Sequence, residues 1–183
     1  MIITTKHLLK FFDGGEAPEF EPCLRDVDTS IYTVWIVSAM TIALVTGSSS
    51  RGIGRGIVKA LALSPGYQVI IHGLEEKRAL DAVAEELNET LGFEGERRIF
   101  AVAGDIRDDT ACERIVREIQ EEFGSLDVLV NNAGCQFVSP IHTCPTSEYD
   151  RIVDTILKST WLMTKYGTLQ DVRVSCCAFL SLT

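Results

Sequence analysis

The chain has 183 residues, of which 46% are hydrophobic and 23% are charged, proportions that suit one ordinary globular domain with a sizeable core. Its formal net charge is −9 at pH 7, so a nucleic acid or an anionic membrane surface would repel it. The six cysteines show no C-x-x-C spacing and no pattern of metal ligands. We therefore expect reduced thiols, a cytoplasmic location and no metal site.

Residues 1–40 match no motif that we identify. The apolar run from Ile31 to Val45 is too short for a membrane span, and its end is already the first predicted strand. Basic residues near the N-terminus are followed at once by many acidic ones, which is wrong for a mitochondrial or a secretory leader. We expect this segment to be a poorly ordered extension.

A glycine-rich turn joins a predicted strand to a predicted helix between residues 43 and 63. The strand is Ala43–Val45, and Gly47 allows the sharp turn after it. Gly52 and Gly54 leave the backbone bare, so that a pyrophosphate can approach the amides at the helix N-terminus. Hydrophobic residues at every fourth position predict the face that packs on the sheet: Ile53, Ile57 and Leu61.

Strands and amphipathic helices alternate after this turn. Further strands are predicted at 68–72, 98–103 and 126–131, with helices between them and a fourth helix from Tyr149 to Met163. The pattern predicts an α/β fold, a Rossmann-type parallel sheet with helices on both faces.

The fourth predicted strand is followed by Asn131-Asn132-Ala133-Gly134. Together with the turn at Gly47–Gly54, this run resembles the short-chain dehydrogenase/reductase family, whose hallmarks are TGxxxGxG after the first strand and NNAG after the fourth. The resemblance covers residues 41–166, which we interpret as a dinucleotide-binding domain, and leaves 167–183 as a divergent tail. It implies a sheet truncated after the fourth βα unit, in the strand order 3-2-1-4 with the family's fifth strand beside the fourth. Either Val172–Leu180 then supplies a makeshift fifth strand, or the apolar edge of the fourth strand recruits other chains. The resemblance further implies a nicotinamide cofactor and hydride transfer, and it leaves a homo-oligomer open.

The resemblance also implies which residues bind the cofactor. Asp105 would accept a hydrogen bond from the adenine amino group, while Asp108 and Asp109 are better suited to begin the next helix. Four residues separate Gly47 from Gly52 where the family has three, so we expect an outward bulge and weakened binding. The implied cofactor-binding residues are Gly47, Ser50, Arg51, Gly52, Ile53, Gly54, Leu74, Asp105, Ile106, Asn132, Ala133 and Gly134.

The choice between NAD and NADP depends on charges near the end of the second strand. An acid there would hydrogen-bond the ribose hydroxyls and select NAD. His72-Gly73-Leu74 supplies none, although Glu75 and Glu76 follow closely. Arg51 occurs in relatives that use NADP, and Leu74 matches a residue that packs against adenine. Because two acids would repel a 2′-phosphate, the sequence favours NAD over NADP.

The run Cys135–Ile141 (CQFVSPI) is similar to the NAG-x-Q-x-V-x-P-I run of D-3-hydroxybutyrate dehydrogenases within the family. That match makes Gln136 the candidate ligand of a substrate carboxylate, the alternative being a polar loop residue that bonds to backbone. We interpret His72 and His142 as structural and surface residues respectively.

The family's catalytic centre is a Tyr-x-x-x-Lys pair with a preceding serine, and this sequence does not contain it. The residues four positions after the four tyrosines are Ile36, Ile71, Val153 and Gln170. Ile156 stands where the family has the asparagine of its proton relay. We therefore assign no catalytic residue.

Three interpretations follow. The first is a catalytically incomplete relative of D-3-hydroxybutyrate dehydrogenase, whose full-length form acts on a small hydroxy acid or ketone. The second is a relative of 3-oxoacyl-acyl-carrier-protein reductases, which Arg51 favours and Gln136 opposes. The third is a non-catalytic dinucleotide-binding module or a truncated gene product.

Overall fold

The computed structural model describes residues 40–93 and 95–168 and the backbone of 177–179. Strands and helices alternate along these residues. In chain order they are β1 (Thr41–Val45), α1 (Ile53–Leu63), β2 (Tyr67–Gly73), α2 (Lys77–Thr90), β3 (Ile99–Ala103), α3 (Asp109–Phe123), β4 (Val128–Asn131), α4 (Thr146–Val153), α5 (Ser159–Thr168) and β5 (Cys177–Phe179). The expectations for residues 1–39 lie outside the described part.

The strands form a parallel sheet in the order β3-β2-β1-β4-β5. This confirms the predicted Rossmann-type sheet and its strand order. The short strand β5 pairs with β4 along Leu129–Asn131 and lies within the 172–180 range that sequence analysis gave as one of two alternatives, a makeshift fifth strand. Within the described part, no helix combines the length and the apolar character that a bilayer span requires.

Helices cover both faces of the sheet, because each strand sends alternate side chains to opposite sides. Ile42 and Leu44 of β1 belong to a core that α3 and α5 complete, with Ile115 and Met163 among its buried residues. Val45 of β1 belongs to the second core, which α1 and α2 complete. The predicted arrangement of helices on both faces is thus confirmed.

The fully buried residues of α1 each lie one position after the residues that were predicted to pack on the sheet. Gly54, Val58 and Ala62 are buried, whereas Ile53 is 55% exposed. Ile57 and Leu61 are only partly buried at the margin of the core. The prediction is therefore wrong for Ile53: the helix turns Gly54 toward the loops after β1 and β4, where a larger residue would not fit.

The fourth predicted helix is interrupted by a π-helical turn at Asp154–Lys158, between α4 and α5. The Ser159 backbone N–H bonds to the Asp154 carbonyl across this wider turn. The hydroxyls of Ser159 and Thr160 donate to the carbonyls of Thr155 and Ile156. Side-chain hydroxyls thus satisfy carbonyls where the regular helical ladder is interrupted.

Candidate functional site

The candidate site lies at the carboxyl edge of the sheet, where β1 and β4 are neighbours. From β1 the chain continues to β2 on one side, whereas β4 lies on the other side and is reached from β3. In open parallel sheets the loops diverge at such a reversal of strand order and leave a crevice that binds ligands. The predicted cofactor residues all follow the carboxyl ends of β1 to β4 or begin α1.

The loops after β1 and β4 are joined by a set of hydrogen bonds that we call the Thr46–Asn132 clamp. The buried Thr46 hydroxyl accepts from the backbone N–H groups of Asn132 and Ala133, at 3.0 Å each, and donates to the Val130 carbonyl at 3.3 Å. The Asn132 amide donates to the carbonyls of Thr46 at 2.8 Å and Gly47 at 3.1 Å. Sequence analysis singled out Asn132 but missed Thr46, whose position before Gly47 was the available signal.

Two glycines allow the turn to approach this clamp. Gly47 has φ +62°, and a Cβ there would lie 2.7 Å from the Ala133 Cα. A Cβ at Gly54 would collide with the Asn132 amide and lie 2.9 Å from the Gly47 carbonyl. Both positions therefore exclude a larger side chain, because the loop after β4 occupies the space.

Gly52 faces open space instead, since a Cβ there would meet no atom within 4 Å. It caps α1 without a side-chain hydrogen bond, and the first turn of α1 has no acidic residue. The helix end thus keeps unpaired N–H groups and its positive dipole, which suit an anionic ligand. The contrast is α3, where Asp108 accepts from the N–H groups of Thr110 and Ala111, as predicted for the helix entry.

The four residues between Gly47 and Gly52 differ in exposure and in hydrogen bonding. Ser48 is buried, and its hydroxyl donates to the Val45 carbonyl at 2.7 Å. Ser50 and Arg51 are exposed. Ser49 extends toward the end of β2, where its hydroxyl donates to the Glu75 carboxylate at 3.0 Å.

The Glu75 side chain folds back over Gly73, the last residue of β2. A Cβ added to Gly73 would collide with the Glu75 carboxylate and lie 2.5 Å from the Ser49 hydroxyl. The carboxylate therefore occupies the volume in which a side chain at position 73 would begin. Leu74 is 68% exposed beside it and offers an apolar surface.

Asp105 follows β3 and is held by Arg107. Its Oδ1 accepts from the Arg107 backbone N–H at 3.0 Å, and both carboxylate oxygens accept from the guanidinium. These bonds lower the pKa of Asp105 below its usual value, so the group remains an acceptor at neutral pH. Ile106 is 4% exposed with its side chain in the core, so its backbone alone is available to a ligand.

His72 of β2 is buried between the turn after β1 and the loop after β3. Its Nδ1 accepts from the Gly47 backbone N–H at 3.2 Å, and its Nε2 donates to the Gly104 carbonyl at 2.9 Å. Burial lowers the pKa of the imidazole below 6.5, so the ring is neutral at pH 7. His142 is exposed in a short 3₁₀ turn, Ile141–Thr143.

Gln136 and Ile156 lie in and beside the loop after β4. Gln136 is exposed, and its backbone carbonyl accepts from the Arg151 guanidinium at 3.4 Å. Ile156 lies in the π-helical turn, with its Cγ1 3.9 Å from the position of a Cβ on Gly134. An apolar group therefore faces the loop at the position where the family resemblance implies an asparagine.

The cysteines whose side chains the structure describes form no disulfide. Cys112, Cys135 and Cys144 are free thiols, and burial raises the pKa of Cys112 to about 12. At neutral pH the Cys112 thiol is therefore protonated and unreactive. No group of three His, Cys, Asp or Glu side chains in this part is arranged to hold a metal ion.

The Thr46–Asn132 clamp generates a stability prediction. Thr46→Val keeps the shape of the side chain but leaves the N–H groups of Asn132 and Ala133 without their acceptor. We expect a loss of about 2 kcal/mol in the free energy of unfolding, measured by urea denaturation. Thr46→Ser is the matched control and should retain most of the stability. Equal stability of the valine and serine variants would contradict the role given to the hydroxyl.

Comparison with known proteins places this geometry in a family. Residues 41–170 match the family model described as short chain dehydrogenase. The chain is 36% identical over 141 residues to the 3-oxoacyl-acyl-carrier-protein reductase FabG of Staphylococcus aureus, covering 77% of this chain and 54% of the relative. It thus spans about half the length of the curated relatives it matches.

Two solved structures show the same similarity. An alcohol dehydrogenase from Thermococcus sibiricus, complexed with 5-hydroxy-NADP, superposes with a TM-score of 0.62 at 28% identity, over 70% of this chain and 52% of that one. A short chain dehydrogenase from Mycobacterium smegmatis gives a TM-score of 0.60 at 29% identity, over 70% of this chain and 51% of that one. The chain belongs to the short-chain dehydrogenase/reductase family.

Proposed function

We propose that this chain is the dinucleotide-binding part of a short-chain oxidoreductase and that it binds NAD(H). The observation that carries the proposal is the uncapped N-terminus of α1, open at Gly52 and braced by the Thr46–Asn132 clamp. A pyrophosphate is the anion that fits this turn, because backbone N–H groups and the helix dipole both favour negative charge.

The neighbouring loops supply the other contacts that a dinucleotide needs. Asp105 offers a carboxylate acceptor for the adenine amino group, and Leu74 offers an exposed apolar surface for the adenine ring. Ser50, Arg51 and Ile53 lie around the exposed side of the turn, and Asn132–Gly134 border it from β4. When bound, the nicotinamide ring would accept or donate the hydride of the reaction.

Support for NAD over NADP comes from Glu75. Its carboxylate lies over Gly73, at the end of β2, where an acid hydrogen-bonds the ribose 2′-hydroxyl in this type of site. The hydrogen bond from Ser49 holds it there. A 2′-phosphate on the ribose would meet this negative charge. Arg51, exposed on the turn, is the group that would favour NADP.

The substrate class that we propose is a small hydroxy acid or ketone, as for D-3-hydroxybutyrate dehydrogenases. The supporting observation is the exposed Gln136, in a loop tethered by Arg151 and following Gly134. The alternative, a 3-oxoacyl thioester on a carrier protein, is favoured by the 36% identity with the Staphylococcus aureus reductase.

The acid–base pair that the family uses for catalysis is absent from these 183 residues. No tyrosine is followed by a lysine four positions on. General acid–base catalysis of this type contributes typically ~10²–10⁴-fold to the rate. We therefore propose that this chain binds its cofactor without carrying out efficient hydride transfer.

Titration with NADH tests the cofactor site. We expect weak but measurable binding, followed by fluorescence energy transfer from tryptophan or by calorimetry. Asp105→Ala should weaken it about tenfold, because a charge-assisted hydrogen bond is lost. Asp150→Ala, on the exposed surface of α4, is the control and should bind as the wild type does. Absence of NADH binding to the folded wild-type chain would overturn the proposed function.

Cofactor selectivity tests the role of Glu75. We expect Glu75→Gln to improve the affinity for NADPH relative to NADH about tenfold, because it removes a negative charge from the 2′ position. Glu86→Gln, on the exposed side of α2, is the matched control, and its ratio should stay near the wild-type value. An unchanged ratio in Glu75→Gln would remove Glu75 from cofactor selection.

Substrate binding and turnover are separate measurements. We expect no steady NADH formation from NAD and 3-hydroxybutyrate, because the acid–base pair is missing. Saturation-transfer NMR with acetoacetate and NADH should nevertheless detect binding, and Gln136→Ala should weaken it by removing the amide that would hold the carboxylate. The control is Glu89→Ala, on the exposed side of α2, which should bind as the wild type does. Steady turnover by the purified chain would contradict the inactive assignment.

A further inference from the structure

The imidazole of His72 lies between two loops to which the proposed function assigns different parts of the cofactor. Its Nδ1 accepts from the Gly47 N–H at 3.2 Å, and its Nε2 donates to the Gly104 carbonyl at 2.9 Å. Gly47 begins the glycine-rich turn Gly47–Gly54, which we call the phosphate turn, and Gly104 immediately precedes Asp105. One rigid ring, 2% exposed, therefore connects the phosphate turn to the loop after β3 that carries Asp105.

Backbone bonds hold the ring at this position. The Ser48 N–H donates to the His72 carbonyl at 2.9 Å, and the His72 N–H donates to the Ser48 hydroxyl at 3.2 Å. The Gly104 N–H donates to the Gly73 carbonyl at 3.2 Å. Each loop is thus tied separately to β2, and the imidazole adds a bond from β2 to each of them through a single planar group.

We propose that His72 is a positioning residue that fixes the spacing between the phosphate turn and Asp105, and that it does so only as the neutral tautomer protonated at Nε2. The proposal rests on the proposed dinucleotide-binding function, because the two loops would hold the pyrophosphate and the adenine of one ligand. A proton on Nδ1 would face the Gly47 N–H and replace a hydrogen bond with a repulsive contact.

The charged groups facing the ring are the carboxylates of Glu75, after β2, and Asp105, after β3. Both favour a charged imidazole, but desolvation is the larger effect and lowers the pKa of His72 below 6.5. An unfolded chain binds this proton near pH 6.5, and the folded chain binds it only at lower pH. The contribution to stability is therefore complete above pH 6.5 and is lost as the pH falls through the lowered pKa.

Two substitutions separate the two bonds. His72→Asn keeps an acceptor near the position of Nδ1 and loses the donor to Gly104, whereas His72→Gln keeps a donor near the position of Nε2 and loses the acceptor for Gly47. In amide NMR spectra without cofactor, His72→Asn should shift the Gly104 and Asp105 signals most, and His72→Gln the Gly47 signal. His142→Gln, at an exposed histidine, should shift none of these.

Cofactor affinity then tests the spacing. Each His72 variant should weaken NADH binding about tenfold. Asp105→Ala should cost less affinity in the His72→Asn background than in the wild type, because that loop is already displaced. Wild-type affinity should fall as the pH drops through the lowered pKa of the folded-state His72, and His72→Gln should lack this step.

Failure of the positioning role of His72 can be distinguished from failure of the proposed function. If the wild-type chain does not bind NADH, the proposed function fails, and the NMR spectra still decide whether the ring links the two loops. Spectra in which both variants disturb the same amides would overturn the bridge. Additive losses for His72→Asn and Asp105→Ala, or a pH step that persists in His72→Gln, would overturn the positioning role.

Discussion

The hydroxyl of Thr46 is the contact on which the rest of the site depends. The backbone pairing of β1 with β4 extends to the bond from the Thr46 N–H to the Val130 carbonyl, and side chains join the two loops that follow. The Thr46 hydroxyl accepts two N–H groups from the loop after β4 and donates to the Val130 carbonyl, and the Asn132 amide adds bonds to the carbonyls of Thr46 and Gly47. The glycine turn can then lie against Asn132 and Ala133 while its outer side stays open.

Polar side chains continue this function along the carboxyl edge of the sheet. Ser48 ties the turn to β1 and β2, and His72 joins the turn to the loop after β3. Asp105 is in turn held by Arg107. The edge is therefore a connected polar network, in which a buried group without its partner would be costly.

Much of the fold follows from the sequence because periodicity reports burial directly. The alternating strands and helices around Val45, Ile70 and Leu129 predict a parallel sheet buried on both faces, and the structure confirms it. The prediction that Ile53 packs on the sheet was wrong because Gly54 approaches Asn132 closely. This long-range contact sets the rotation of α1. The spacing of apolar residues also does not predict the π-helical turn at Asp154–Lys158.

The site was predictable only where a residue type carries its own signal. Asp108 is recognisable as a helix cap from local sequence, and the structure confirms it. The contacts of Thr46 and His72 depend on residues 84 to 87 positions away and 25 to 32 positions away, respectively. Their roles are set by tertiary geometry, which a short motif does not contain.

The folding of Glu75 over Gly73 has a consequence for how this sequence can diverge. Any residue larger than glycine at position 73 would displace both the Glu75 carboxylate and the Ser49 hydroxyl. A side chain at position 73 and the Glu75 carboxylate in its present orientation therefore cannot occupy the same space. Among related chains, these positions should covary, with an acid at 75 accompanied by glycine at 73 and by the longer serine turn.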